Sequence, residues 1–337
     1  MGAARTRTRR PIFAAPRAAV TIVSLVGLVV ALVASVASEV NAAGAADNTS
    51  TTPTPVPTLS PTPVTYPVIG NLVQGIYTSL LNPAAAPAGV NVPSCRPSSA
   101  HPRPVVLIGG TFSNMVGVWG GLGPTLANQG YCVYSTPFGG DPTQAIQSVG
   151  PIPTSLSTVA TFVDQVLAHT GATKVDFIGA SQGGMLGELY LKFVAGARSK
   201  VANYIGIAPP THGTTFNGLV TLAQLLPPLL PVVNATVIGT ICPACVEQQI
   251  GSTTVNVLNY GPITQPGVNY TVIDTYWEDV VTPVGSAFIN EPGVSNKYLQ
   301  TYCPYSLSDH VLLTYDPGVW GLVANALDPT HQVKVSC

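Results

Sequence analysis

The feature that most constrains the fold of this chain is a serine flanked by glycines, Gly179-Ala180-Ser181-Gln182-Gly183. A strand-like segment at 174–178 comes directly before it, and residues 182–194 have the apolar spacing of a helix. A glycine two residues away on each side of the serine fits a turn that is too tight for side chains. The segment therefore predicts a strand–turn–helix unit that projects the Ser181 hydroxyl above the edge of a sheet.

Strand-like and helix-like segments alternate around this unit. Apolar runs bounded by turn residues are typical of buried parallel strands, and apolar residues at helical spacing indicate helices that pack on them. The alternation predicts an α/β fold: a mostly parallel central sheet with helices on both faces. The other predicted strands are 104–108, 131–134, 201–207, 270–274 and 297–301, and the other predicted helices are 157–169, ended by Gly171, and 319–327.

The N-terminus predicts export. Five arginines lie within the first 17 residues, an uncharged run follows from 18 to 37, and small residues come next. This order is typical of a secretory signal peptide, assigned here to 1–43. Twenty uncharged residues also suffice to span a bilayer, so an N-terminal membrane anchor is the alternative. Residues 44–67 are rich in threonine and proline and predict an extended linker, and 68–337 predict one catalytic-size domain that is secreted or associated with the cell envelope.

Composition excludes several classes of protein. Only 8% of the residues are charged and 46% are hydrophobic, which argues against an intrinsically disordered chain. After residue 43 the chain keeps eight basic and 13 acidic side chains, so no nucleic-acid partner is expected. All six cysteines follow the leader, which favours three disulfides over free buried thiols in an exported protein. We expect a monomer.

A nucleophilic serine needs a base, and in this strand–turn–helix setting the partners follow in the order serine, acid, histidine. Three of the five histidines precede the serine or every plausible acid, which leaves His310 and His331. His310 is favoured because it lies in a polar loop, whereas His331 comes after the last predicted helix. The acid candidates are the adjacent Glu278 and Asp279, in the loop that follows the strand at 270–274.

Hydrolysis or transfer of an acyl group also requires donors for an oxyanion. One is the main-chain N–H of the residue after the nucleophile, here Gln182. The second comes from the loop after an earlier strand, where Thr111 is suitably placed and its hydroxyl offers a further donor.

Four segments together resemble the secreted α/β-hydrolase lipases of actinobacterial type, the class 2 lipases, and more distantly the fungal lipase B of Candida antarctica. The segments are 108–112, 179–184, 279–283 and 308–310. The resemblance implies an α/β-hydrolase fold and a Ser-acid-His lipase or carboxylesterase that needs no metal or organic cofactor. Its acyl substrate would be an ester or lipid.

The resemblance also implies individual roles. Ser181 matches the nucleophile, His310 the base, and Thr111 and Gln182 the oxyanion hole. The family's acid lies five residues before a proline, which here is Glu278, where the family usually has aspartate; Asp279 stays the alternative. The disulfides implied are Cys95–Cys132, Cys242–Cys245 and Cys303–Cys337.

One strongly apolar stretch, 217–241, is either a lid over the acyl pocket or a buried pair of helices. The sequence predicts a secreted serine carboxylic-ester hydrolase, a triacylglycerol lipase that acts through an acyl-enzyme at Ser181. The alternatives are an acyltransferase of the cell envelope and a non-catalytic envelope protein that retains the fold.

Overall fold

The computed structural model describes residues 64–218 and 238–337. The predicted leader at 1–43, the linker up to residue 63 and the central part of the apolar stretch, 219–237, lie outside the described residues. Among the helices of the two described ranges, none combines the length and the hydrophobicity that crossing a bilayer would require.

A six-stranded sheet, parallel throughout, forms the centre of the described chain, which confirms the predicted α/β class. The order across the sheet is β2-β1-β3-β4-β5-β6, so the chain starts near one edge, crosses to β3 and then adds each new strand on the same side. The strands are β1 (Val105–Ile108), β2 (Val133–Ser135), β3 (Val175–Ala180), β4 (Val201–Ile207), β5 (Asn269–Asp274) and β6 (Ser295–Tyr298).

All six predicted strands are present, and two of the differences in their bounds are described here. The strand predicted at 131–134 begins two residues later, at Val133. The strand predicted at 297–301 is wrong in its second half, because Leu299–Thr301 is a 3₁₀ turn. The chain turns there and buries Gln300, which accepts a hydrogen bond from the main-chain N–H of Tyr276 at 3.0 Å. The strand at 201–207 is confirmed at both ends.

Helices occupy the connections between the strands. The predicted helices at 157–169 and 319–327 are confirmed in type, and both begin earlier, at Ile152 and Pro317. The helices are α1 (Leu72–Leu81), α2 (Met115–Trp119), α3 (Leu122–Asn128), α4 (Ile152–Thr170), α5 (Gln182–Phe193), α6 (Ala197–Lys200), α7 (Gly239–Ile241), α8 (Pro243–Glu247), α9 (Thr253–Leu258) and α10 (Pro317–Leu327). A 3₁₀ helix, Leu312–Tyr315, precedes the last of them.

The sheet separates two hydrophobic cores. Successive side chains of a strand point to opposite faces, so Val106 and Ile108 of β1 belong to one core and Val105 and Leu107 to the other. Helices α4 and α5 cover the first face, and α3 and α10 cover the second. Both faces of the central strands are therefore buried, as a parallel sheet requires.

Covalent and polar links tie the outer segments to this body. The structure contains the disulfides Cys95–Cys132, Cys242–Cys245 and Cys303–Cys337, the pairs that the resemblance implies. At the start of the described chain, the main-chain N–H of Tyr66 donates to Asn128 Oδ1 at 2.7 Å, and Asn128 Nδ2 donates to Tyr66 O at 2.9 Å. The domain thus begins to make fixed contacts at Tyr66.

Candidate active site

Ser181 lies in a sharp turn between β3 and α5. Its backbone has φ 51° and ψ −123°, a combination that costs a non-glycine residue free energy and that the surrounding structure must hold in place. A Cβ atom at Gly179 would lie 2.4 Å from the carbonyl carbon of Gly183, and one at Gly183 would lie 2.0 Å from the carbonyl oxygen of Ile108. The turn therefore accepts only glycine on either side of Ser181, which is the physical origin of the motif.

His310 lies in the loop before the 3₁₀ helix 312–315, and its Nδ1 is 2.9 Å from Oε2 of Glu278. The carboxylate is fully buried, and its other oxygen accepts hydrogen bonds from the main-chain N–H groups of Val280 at 2.9 Å and Val281 at 2.7 Å. An acceptor at Nδ1 places the imidazole proton on that nitrogen, which leaves Nε2 free to accept a proton. His310 and Ser181 line the same cavity.

Glu278 and His310 each shift the pKa of the other. Burial opposes ionisation of Glu278, but the charge of His310, its hydrogen bond and the two main-chain N–H groups outweigh burial and lower the pKa of Glu278. Burial likewise opposes the imidazolium form, yet the negative charge of Glu278 raises the pKa of His310 above its usual value. The pair is arranged to stabilise a proton on the imidazole.

Asp279, the alternative acid, lies outside this pair. Within the described residues its Oδ1 is buried and has no hydrogen-bond partner, and the contact with His310 is made by Glu278. Burial, followed by the charges of Asp309 and Glu278, raises the pKa of Asp279. Because adjacent side chains in an extended loop point in different directions, only one of the two carboxylates reaches the imidazole.

A third carboxylate, Asp274, belongs to the same region and is not among the residues that the sequence predicts for the site. It ends β5, is fully buried and accepts main-chain hydrogen bonds from Thr275 at 2.8 Å and from Gly285 at 3.3 Å. Burial and the charge of Glu278 raise the pKa of Asp274 to about 7. Its one sequence signal is its position, as the last residue of a strand that leads into the acid loop.

The predicted oxyanion residues lie together beside Ser181. Thr111 Oγ1 donates to Oε1 of Gln182 at 3.1 Å, and in the described part of the chain the main-chain N–H of neither residue has an acceptor. The Thr111 hydroxyl is therefore already engaged, and the two main-chain N–H groups are the available donors. Gln248, which the sequence does not predict for the site, donates through Nε2 to Thr111 Oγ1 at 3.0 Å.

Two cavities meet at Ser181 and His310. The smaller, of about 100 Å³, lies between the Thr111 loop and the His310 loop. The larger, of about 320 Å³, is bounded mainly by apolar groups and has room for several methylene groups of a chain. Its apolar wall includes Leu72 and Ile76 of α1, Phe112, Phe216 and Val281.

The remaining candidate base, His331, does not reach the site. Its Nδ1 lies 2.9 Å from Oδ2 of Asp328 on the surface, and it lines a separate cavity at 99–103 and 327–331. His212, which the order of residues excludes, contacts Asn259 and the main-chain oxygen of Phe288. Of the five histidines, His310 is the one that the structure brings to Ser181.

Known proteins resemble this chain in sequence and in fold. A family model described as lipase (class 2) matches residues 102–317. A triacylglycerol lipase of Burkholderia plantarii is 35% identical over 142 residues, 40% of this chain and 36% of that protein. A triacylglycerol lipase of Pseudarthrobacter phenanthrenivorans is 36% identical over 119 residues, 34% of each chain. The chain thus spans about a third of the length of these curated relatives.

A solved structure shares the fold. The crystal structure of Aspergillus fumigatus lipase B matches with 23% identity and a TM-score of 0.52, and the match covers 69% of this chain and 54% of that protein.

Proposed function

This chain belongs to the class 2 lipase family, and we propose that it is an exported serine hydrolase of carboxylic esters with apolar acyl groups. Triacylglycerols are the first substrate class to consider, because both sequence relatives are named triacylglycerol lipases. The observation that carries the proposal is the contact between His310 and the buried Glu278 beside Ser181 in its strained turn.

In the proposed reaction Ser181 Oγ attacks the ester carbonyl carbon while His310 Nε2 takes the hydroxyl proton. The buried carboxylate of Glu278 stabilises the imidazolium that forms. The main-chain N–H groups of Thr111 and Gln182 donate to the oxyanion of the tetrahedral intermediate. This intermediate collapses to the acyl-enzyme, and the leaving alcohol takes its proton from His310. Water then attacks the acyl-enzyme with the same proton transfers in reverse, which releases the acid.

The larger cavity supports an apolar acyl group. Its wall offers aliphatic and aromatic side chains, and transfer of each methylene from water to such a wall contributes about 0.8 kcal/mol. The kcat/KM for ester hydrolysis should therefore rise with the length of the acyl chain until the chain is too long for the cavity.

Export is proposed on two grounds. The three disulfides are typical of proteins that fold in an oxidising compartment, and residues 1–43 have the order of a signal peptide. In this proposal the predicted linker, 44–67, is a spacer that ends at the contacts of Tyr66 with the catalytic domain. We further propose that the domain acts as a monomer.

The test replaces Ser181 with alanine. Hydrolysis of p-nitrophenyl esters of two to 16 carbons should fall to the rate of uncatalysed hydrolysis in Ser181→Ala, since no other group forms the acyl-enzyme. Wild-type protein should also be labelled by a fluorophosphonate at Ser181, as located by mass spectrometry. Serine acylation would be refuted by full turnover in Ser181→Ala, and a wild-type protein that neither hydrolyses esters nor reacts with the probe would be a non-catalytic member of the family.

A further inference from the structure

A chain of three polar side chains runs along the proposed oxyanion hole. Gln248 Nε2 donates to Thr111 Oγ1 at 3.0 Å, and Thr111 Oγ1 donates to Gln182 Oε1 at 3.1 Å. Gln248 and Gln182 are buried, and Thr111 is half-buried between them. The orientation of the Gln248 amide is fixed at the outer end, because Gln248 Nε2 also donates to the carbonyl oxygen of Ala244 at 2.9 Å. A carbonyl oxygen only accepts, so the nitrogen of the amide must face it.

The direction of the Thr111 hydroxyl follows from this arrangement. A hydroxyl has one proton, and a donor N–H pointing at its oxygen leaves the proton to an acceptor elsewhere. The acceptor at 3.1 Å is Gln182 Oε1, whereas the side-chain oxygen Oε1 of Gln248 lies 3.5 Å away, at the limit of a hydrogen bond. Gln248 therefore turns the hydroxyl toward Gln182, and the hydroxyl links the two residues whose main-chain N–H groups form the proposed oxyanion hole.

We infer that Gln248 is a positioning residue of the oxyanion hole, which sets the separation of the Thr111 and Gln182 N–H groups by orienting the hydroxyl that joins them. The inference rests on the proposed ester hydrolysis. It assigns a role to a residue 137 positions away from Thr111 that also lines the larger cavity.

The main chain around Gln248 is held in place by neighbouring segments. It follows α8, whose first turn is closed by the Cys242–Cys245 disulfide. The carbonyl oxygen of Gln248 accepts a hydrogen bond from the main-chain N–H of Thr214 at 2.9 Å, and Thr214 Oγ1 donates to the carbonyl oxygen of Val280 in the acid loop. A residue held on both sides in this way can hold its partner in position.

The test is a double-mutant cycle of Thr111→Val and Gln248→Met, with kcat and KM measured on one p-nitrophenyl ester. Valine removes the hydroxyl at constant shape, and methionine removes the amide at similar length. Loss of a complete oxyanion donor costs about 100- to 1000-fold in kcat, so misplacement of donors that remain present should cost less, about tenfold. We expect Gln248→Met to lower kcat about tenfold with KM within about twofold, and to have less than about a twofold effect in the Thr111→Val background, where no hydroxyl remains to be oriented.

An equal loss of kcat in both backgrounds, or a loss below about threefold in the single variant, would overturn the inference. Gln248→Glu is the second variant, for use if thermal unfolding shows that the methionine protein is not folded. Its carboxylate only accepts, so the hydroxyl turns away from Gln182 and the same loss is expected. Gln265→Met, which removes a half-buried amide outside both cavities, is the matched control and should leave kcat unchanged. If wild-type protein hydrolyses esters and the cycle is additive, only the role of Gln248 fails; if wild-type protein hydrolyses nothing, the proposed function fails and this role fails with it.

Discussion

Two glutamates are buried in this protein and differ in the partners of their carboxyl groups. Glu278 meets the imidazole of His310 and two main-chain N–H groups. Glu188, on the helix behind the Ser181 turn, meets two hydroxyls through Oε1, Tyr204 at 2.9 Å and Thr211 at 2.7 Å, while its Oε2 has no partner among the described residues. Both side chains are buried, and the main difference between them lies in their partners.

The partners decide the protonation state. The pKa of Glu278 is lowered, whereas burial without a neighbouring cation raises the pKa of Glu188 to about 8. Two other acceptors stand beside the hydroxyls that face Glu188: the carbonyl oxygens of Ala287, 2.8 Å from Thr211, and Gly184, 3.1 Å from Tyr204. A Glu188 that is protonated on Oε1 can donate to one of these hydroxyls, which then donates to its carbonyl oxygen, while the other hydroxyl donates to Glu188. Glu278 is thus a carboxylate at neutral pH and Glu188 a neutral acid.

The largest expected effect separates the two glutamates by activity. Glu278→Gln keeps the shape of the side chain and removes the charge that stabilises the imidazolium, so kcat should fall about 1000- to 10,000-fold. Glu188→Gln should change kcat by less than about threefold, because Glu188 has no contact with His310. Asp279→Asn is the matched control in the acid loop and should also retain activity. A larger loss in Asp279→Asn than in Glu278→Gln would reverse the assignment of the acid.

The second test is the pH dependence of the free energy of unfolding, to which Glu188 should make the larger contribution of the two glutamates. Its pKa is about 8 in the folded protein and 4.5 when unperturbed, so the folded state holds the proton more tightly. The stabilisation is complete below pH 4.5 and is lost as the pH rises toward 8, by up to roughly 5 kcal/mol. Urea unfolding at pH 5, 7 and 9 should show the free energy of unfolding of wild-type protein falling relative to Glu188→Gln. Asp274 titrates in both proteins, so the difference isolates Glu188, and parallel curves would refute its neutral state.

The smallest effect is a shift in the pH dependence of kcat/KM. His310 acts as a base only when neutral, and because Glu278 raises the pKa of His310, activity should fall as the pH drops through a value above 6.5. In the residual activity of Glu278→Gln this acid limb should move to lower pH, while in Glu188→Gln it should stay in place. A matching shift in both variants would mean that the two carboxyls act on His310 through the general field of the protein.

Parts of the candidate site are predictable from sequence where chemistry and backbone geometry coincide. The glycines around Ser181 are required by contacts with the turn itself and with the end of β1, so a local pattern carries the information. Order along the chain favours His310, and the structure places His310 in one cavity with Ser181. Residue chemistry leaves Glu278 and Asp279 open as the acid, and which of the two contacts His310 depends on the direction of each side chain in the folded loop.

Other features could not be read from the sequence because they depend on distant contacts. Gln248 reaches Thr111 only after the sheet and α8 have formed, and a single glutamine carries no local signal for such a role. Glu188 lies in a helix that the sequence predicts from its apolar residues alone. Its neutral state depends on Tyr204 and Thr211, which belong to later segments. The turn at Leu299–Thr301 was missed for the same reason, since its cause is the burial of Gln300 against the acid loop.

The contacts of Tyr66 determine where another segment can be attached without disturbing the site. Its main chain is paired with Asn128, and its ring lies where a side chain on Gly89 would collide with it. Helix α1, which lines the larger cavity, begins six residues later. Tyr66 therefore attaches the chain to the domain ahead of α1. A force on the chain before Tyr66 acts first on the contacts with Asn128 and only then on the wall of the larger cavity. A surface anchor, a carrier protein or an affinity tag joined ahead of residue 64 should leave the ester profile unchanged.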